Sequence, residues 1–540
     1  MRLEGVDTVH AAFAATAARW PERGMLNVVA ETAARYGIDA GEIAYAEAGA
    51  EADRLADRLA AAGYGPGHRL MLALENRPAF FLWFLAANRL GAAVVPVNPD
   101  LRVAELAYMI AHAEPALAIA TPGALALLEE AAGEAQSAMP AVRPEEPLPP
   151  PANAGTAAPG EGLTREAALL YTSGTTGKPK GCILTNEYFL TAARWYRDAG
   201  GLCAIAEAPQ ERMITPLPVF HMNAFAVSFM AMIGVGGCLT VLDRFHPKTW
   251  WTSVRESGAT CLHYLGVMPS ILMKAEPSPD DRAHSVRFGF GAGVDPRLHA
   301  AFEDRFGFPL VEAWAMTETG SIATIAANHP PRRVGESCLG TPWHEVEIRI
   351  VDEADNDTGG APGELLVRRR GPDPRKGFFA GYYRNEEATE EAWAGEWFHT
   401  GDIVRQEPDG SVFFVDRKKN VIRRSGENIA AVEVESALLQ HPRVRAVAVA
   451  AVPDEVRGDE VLALIVPEGE GTPALAEEIV RWCLTRLAYY KAPGYVAFTD
   501  ALPLTATQKI RRGALKSLAA GLVGDPATVD LRHLKKRSAA

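Results

Sequence analysis

Cysteine is scarce in this chain. Its 540 residues hold six (Cys182, Cys203, Cys238, Cys261, Cys338 and Cys483), scattered without any CxxC or CxxxC spacing. That excludes a disulfide framework and a cysteine-rich zinc site, and it predicts a reduced, cytoplasmic setting. Long apolar runs are missing too. The most apolar stretch, AFFLWFLAANRLGAAVVPV, is broken by Asn88 and Arg89, so no membrane span is expected. The first twenty residues set Glu4, Asp7 and His10 among their alanines and read as the start of a helix, not a signal peptide. Positive charge is also in short supply. Fifty-four Lys and Arg against 67 Asp and Glu leave a net charge of −13, which argues against a general nucleic-acid binder. A local site for an anionic ligand stays open. With 48% hydrophobic and 22% charged residues the composition is that of a globular protein, and no internal repeat is visible.

The length allows roughly three to four folding units. Residues 51–63, EADRLADRLAAAG, place Leu55, Leu59 and Ala62 at helical spacing and stop at a glycine. HRLMLALEN then reads as a strand, AFFLWFLAANRLG as a helix and AAVVPVNP as a strand, an alternation that predicts parallel strands joined by helices. Residues 139–163, rich in Pro, Ala, Gly and Glu, predict an exposed connector. From 345 to 415 short strands and turns (EVEIRIVDE, GELLVRR, SVFFVDR) predict a smaller β-rich subdomain. Beyond the charged stretch DRKKNVIRRSGENI (416–429), one helix, two strands and a second helix make a separate α+β unit. The expected fold class is therefore α/β. A large N-terminal body over 1–417 carries parallel-rich sheets and the β-rich subdomain. A small mobile α+β lid follows over 418–520, with a frayed basic tail over 521–540.

The most informative stretch is YTSGTTGKPKG, residues 171–181. Gly174, Gly177 and Gly181 let the backbone approach a ligand closely. Ser173, Thr175 and Thr176 add hydroxyls beside Thr172, and Lys178 and Lys180 add charge, a set suited to a polyphosphate. It is not a Walker A loop: only two residues separate Gly174 from Gly177, and Pro179 stands where Ser or Thr would follow the lysine. Six further motifs follow in order: PVFHMNAF, GAG, WAMTETG, GELLV, WFHTGD and DRKKNVIRRSGENI, with PLTATQK closing the series. Together they resemble the adenylate-forming superfamily over roughly residues 25–516, within it the AMP-forming acyl-CoA synthetases. The shared texture around VDRKKNVIRRSGENIAAVEVE is similar to the carnitine/crotonobetaine-CoA ligase group.

The resemblance implies a two-step reaction. A carboxylate attacks the α-phosphate of ATP, giving acyl-adenylate and pyrophosphate; the thiol of coenzyme A then displaces AMP. It implies that Thr317 contacts phosphate, that Glu318 binds Mg²⁺, that Lys509 is the catalytic lysine and that Asp402 holds the ribose with Arg417 nearby. Trp314 takes the place of an aromatic against adenine, most often tyrosine, while Gly291, Ala292 and Gly293 run beside the purine and acyl group. Lys419 falls at the hinge, and Ser425, Gly426 and Glu427 line a coenzyme A tunnel after rotation. Gln508 departs from the usual glycine before the lysine. His221 stands where amino-acid-activating relatives carry aspartate, so an α-amino acid is disfavoured. Phe220, His221, Phe225, Met268 and Trp314 are expected to build the acyl pocket, whose aromatics suit a trimethylammonium group by cation–π attraction or a short aliphatic or aryl acid. The implied partners are a small carboxylic acid, ATP and coenzyme A, and a homodimer is left open. The alternative activity is loading of a carrier protein.

Overall fold

The computed structural model describes residues 5–172, 178–417, 421–503 and 512–536. Lys419, Lys509 and the loop 173–177 lie outside these, and of Arg417 only the backbone is described.

The N-terminal part is built on two sheets. One has six strands in the order Ala141–Val142, Leu117–Ala120, Arg69–Ala73, Ala93–Pro96, Glu166–Thr172 and Lys180–Thr185. All neighbours are parallel except the last pair, the hairpin that carries the glycine-rich loop. Arg69–Ala73, Ala93–Pro96 and Leu117–Ala120 are buried along their whole length, as strands covered by helices on both faces must be. Pro78–Arg89 starts on proline, which needs no helical N–H partner, and buries Phe80 through Asn88 without a polar face. Tyr45–Ala61 is amphipathic instead, with Leu55 and Leu59 on its buried side. The second sheet runs through thirteen strands. Its middle is parallel from Gly24–Val28 to Leu310–Trp314. It then turns antiparallel through Ile325–Ala326 and Cys338–Pro342 into Val412–Arg417, Phe398–Gln406, Gly363–Arg369 and Val346–Val351. The β-rich segment expected over 345–415 is thus continuous with the parallel sheet.

The C-terminal part has its own sheet (Glu427–Ala430, Val421–Arg424, Gly458–Pro467, Tyr495–Phe498 and Val529–Asp530, with Val444–Asp454 also on Gly458–Pro467) and its own core around Ile429, Val434, Val461 and Ile479.

Two expectations change. The proline-rich connector over 139–163 is mostly half-buried. Prolines offer carbonyls without N–H groups, and the body meets them: Arg58 donates to the carbonyls of Pro144 and Glu146, and Tyr64 Oη to that of Pro149. The tail is not frayed through residue 536. Val529–Asp530 pairs with Tyr495–Phe498, Leu531 is buried, and the Lys535 ammonium is fully enclosed against Glu460. No helix among the described residues is long and apolar enough to cross a membrane.

Candidate active site

The C-terminal ends of the parallel strands and the adjoining antiparallel strands border two cavities of about 590 and 600 Å³. Thr172, Lys180, His221, Met222, Asn223, Thr317, Glu318 and Asp402 line the first. The second runs between Ala292, Gly293, Asp295, Arg297 and Trp314 on the body and Arg423, Asp454 and Arg457 on the C-terminal unit. Both are lined by Leu265, Ala315, Asp402, Gly426 and Asn428, so they adjoin there.

Glu318 is 7% exposed. Its Oε1 accepts from Tyr382 Oη at 2.9 Å, with Thr172 Oγ1 at 3.5 Å. The carboxylate beside Tyr382, after burial, pushes that phenol far above its ordinary range, so it stays a donor. Lys180 Nζ lies 4.6 Å from the centre of the Tyr382 ring, and Lys178 Nζ 5.5 Å from that of Tyr108.

Asp402 is held from the body. Trp314 Nε1 donates to its Oδ2 at 2.7 Å and Thr400 Oγ1 accepts from its main-chain N–H at 3.1 Å. Trp314 is 6% exposed, so its polar edge serves Asp402 while the ring borders the second cavity. Arg417 is the sheet partner of Asp402 across the antiparallel pair. The Gly291–Gly293 turn is pinned from below: Glu312 accepts from the N–H groups of Gly293 and Val294, both at 3.0 Å. Burial raises the pKa of Glu312, against the pull of those donors and of Tyr264. A Cβ on Gly291 would stand 2.2 Å from the carbonyl oxygen of Tyr264, so no larger residue fits there.

Of the residues expected in the acyl pocket, His221 lines the first cavity and Trp314 the second. Phe225 is fully buried in an aromatic cluster with Phe80, Phe84 and Phe189, because the segment 223–228 is helical and turns that ring into the core. Met268 is 3% exposed in a separate core cluster, and Phe220 leans on His221 at 4.8 Å without reaching either cavity. Phe220 and Phe225 therefore give neither cavity an aromatic face.

The Ser425–Gly426 turn of the C-terminal unit reaches the body. Ser425 and Gly426 have φ of +50° and +92°. A Cβ on Gly426 would stand 2.2 Å from Leu265 Cδ1, and Glu427 Oε2 lies 3.2 Å from His221 Nε2. Sequence reasoning missed Tyr382, Glu312 and Asn223. Glu312 sits two residues before WAMTETG, but only the folded turn reveals what it holds.

The AMP-binding enzyme family matches residues 13–383, and its C-terminal domain matches 433–509. The chain belongs to the AMP-binding enzyme family. Feruloyl-CoA synthase of Amycolatopsis sp is 32% identical over 92% of this chain and 98% of that protein. Crotonobetaine/carnitine–CoA ligase of Salmonella arizonae is 29% identical over 88% of this chain and 94% of that protein. Among solved structures, a malonyl-CoA ligase ternary product complex with methylmalonyl-CoA and AMP has a TM-score of 0.74 at 28% identity. It covers 89% of this chain and 97% of that one. The activity is that of an AMP-forming acyl-CoA ligase, which activates a carboxylic acid with ATP and passes the acyl group to coenzyme A, rather than that of an enzyme loading a carrier protein.

Proposed function

We propose that the first cavity holds ATP and the acid during adenylation and that the thiol of coenzyme A enters through the second. One observation carries this reading: Thr172, Thr317, Glu318 and Asp402 converge on one cavity, and Gly426 of the C-terminal unit, close against Leu265, lines both that cavity and the other. Asp402, its Oδ2 fixed by the indole of Trp314, is the proposed acceptor for the ribose hydroxyls. Thr317 and Thr172 offer hydroxyl donors where charge develops on the α-phosphate. Lys509, outside the described residues, is the proposed catalytic lysine, and Lys419, also outside them, the proposed hinge.

Glu318 fits Mg²⁺. No cluster of three or more His, Cys, Asp or Glu among the described residues could hold a metal alone. A single hard carboxylate in a nucleotide cavity suits an ion that takes most of its oxygens from phosphates and water. Bound there, Mg²⁺ would offset charge on the phosphates. Tyr382 orients the carboxylate in either case.

The segment 425–427 meeting the body near His221, and the likeness to a complex holding a CoA thioester and AMP, support reading this arrangement as the thioester-forming pose. Six buried, unpaired cysteines support a cytoplasmic enzyme. The test is nucleotide binding by Asp402→Ala. Its affinity for ATP is expected to fall about tenfold or more with the fold intact, and an unchanged affinity overturns the ribose assignment.

A further inference from the structure

A chain of buried polar groups runs behind the first cavity. Tyr196 and His263 are both fully buried. Tyr196 Oη lies 2.8 Å from His263 Nε2, while His263 Nδ1 lies 2.6 Å from Asn223 Oδ1 and 2.9 Å from Ser228 Oγ. The Ser228 hydroxyl points at the main-chain carbonyl of Asn223 at 3.0 Å. A carbonyl only accepts, so Ser228 spends its hydrogen there and its oxygen accepts from the ring. Nδ1 therefore carries the imidazole hydrogen, Nε2 is bare, and Tyr196 donates to it. Burial lowers His263 to about 3, so the ring stays neutral with that single hydrogen.

With Nδ1–H as donor, the atom of Asn223 against the ring must be the amide oxygen. The amide NH₂ is turned the other way, on a side chain that lines the cavity. Among the described residues no acceptor meets it. The neighbouring lining residues of the same segment, Leu217, Pro218 and Met222, have no side-chain N–H or O–H, and no Lys, Arg, Asp or Glu occurs from 217 to 223. This wall of the cavity thus presents the fixed, uncharged amide of Asn223 among Leu217, Pro218 and Met222, with His221 beside it turned to Glu427 Oε2 at 3.2 Å.

We propose that Asn223 is a specificity-determining residue, donating from Nδ2 to a neutral oxygen acceptor (an oxo, hydroxyl or ether oxygen) on the chain of the carboxylic acid. The inference rests on the proposed placement of the acid in the first cavity and names the class of acid. A plain alkyl chain leaves that donor unpaired, which a site built around a hydrogen bond disfavours. A trimethylammonium group has no hydrogen-bond acceptor to offer this amide.

The test uses the full chain with ATP, Mg²⁺ and coenzyme A, and reads pyrophosphate release for matched acids: 4-oxopentanoate against pentanoate, 3-methoxypropanoate against pentanoate, and 3-(4-methoxyphenyl)propanoate against its 4-methyl counterpart, with crotonobetaine alongside. The oxygen-bearing member of at least one pair is expected to lead by about tenfold in kcat/KM, the worth of one good hydrogen bond. Asn223→Asp keeps an oxygen against His263 and replaces the donor by an acceptor, so it is expected to bring that ratio to one or below. A wild-type ratio at or below one in every pair, a preference for crotonobetaine, or a ratio that Asn223→Asp leaves unchanged overturns the role of Asn223. The wild-type ratios decide even where the variant folds poorly. Absence of pyrophosphate release with every acid overturns the placement of acid and ATP as well, which separates the two failures.

Discussion

Two lysines of the C-terminal unit are buried against carboxylates, and their surroundings are opposite in sign. Lys491 Nζ lies 2.6 Å from both Glu105 and Glu433, one positive charge between two negative ones. Lys535 bonds Glu460, which also takes Arg424 Nε at 2.8 Å, so one negative charge serves two positive ones. Burial lowers both pKa values at first, but the two carboxylates lift Lys491 well above its ordinary range. Burial and the Arg424 charge bring Lys535 down to about 7. The net charge of the partners, more than burial itself, decides which buried lysine stays charged. The two differ in place as well. Glu105 belongs to the helix Val103–Ala113 of the body and also accepts from the N–H of Ala488, so the Lys491 cluster ties the two units together. The Lys535 cluster lies wholly within the C-terminal unit and braces Arg424, next to the Ser425–Gly426 turn.

Lys491→Met is the largest break. It strands two buried carboxylates, and a cost of about 3–5 kcal/mol is expected, seen as a lower midpoint of thermal or urea unfolding. A midpoint within a degree of wild type would mean that water reaches the cluster freely. Gly426→Ala comes next. The new Cβ meets Leu265 at a backbone φ that alanine resists, so CoA-dependent thioester formation is expected to slow at least tenfold relative to acid-dependent ATP–pyrophosphate exchange. Equal slowing of both steps would place the turn outside the thiol path.

Lys535→Met sharpens the contrast through pH. Between about 7 and its unfolded value of 10.5 the folded state holds fewer protons than the unfolded one, so stability rises with pH across that window and is lowest below it. The slope approaches ~1.4 kcal/mol per pH unit, and the methionine variant is expected to flatten it. A profile identical to wild type would show Lys535 to be charged throughout. The smallest effect is expected from Glu427→Gln. Its pairing with a half-exposed His221 is worth at most about 1 kcal/mol, read as a modest rise in the KM for coenzyme A.

Much of the fold was legible because burial writes itself into pattern. Strands such as Arg69–Ala73 stand out as short apolar runs and helices such as Tyr45–Ala61 by their apolar period, and the glycine-rich loop and WAMTETG carry the likeness to the AMP-binding enzyme family. The acyl wall was less legible. Phe225 and Met268 point into the core because their backbone turns them there, and a residue type does not record its direction. Asn223 and His263 form a site only because segments 40 residues apart meet. The Lys491 cluster joins residues 386 positions apart and leaves no local trace. The basic tail looked frayed because its charges are explained only by partners such as Asp454 and Glu460 elsewhere in the unit.

The central claim, that nucleotide chemistry takes place in the cavity ordered by Glu318, is tested most directly by acid-dependent ATP–pyrophosphate exchange in Glu318→Gln. The amide keeps the shape of the side chain and can still meet Tyr382, but it loses the charge proposed to hold Mg²⁺. Exchange is expected to fall by about a hundredfold while the protein keeps its melting temperature. Exchange at the wild-type rate would contradict the account.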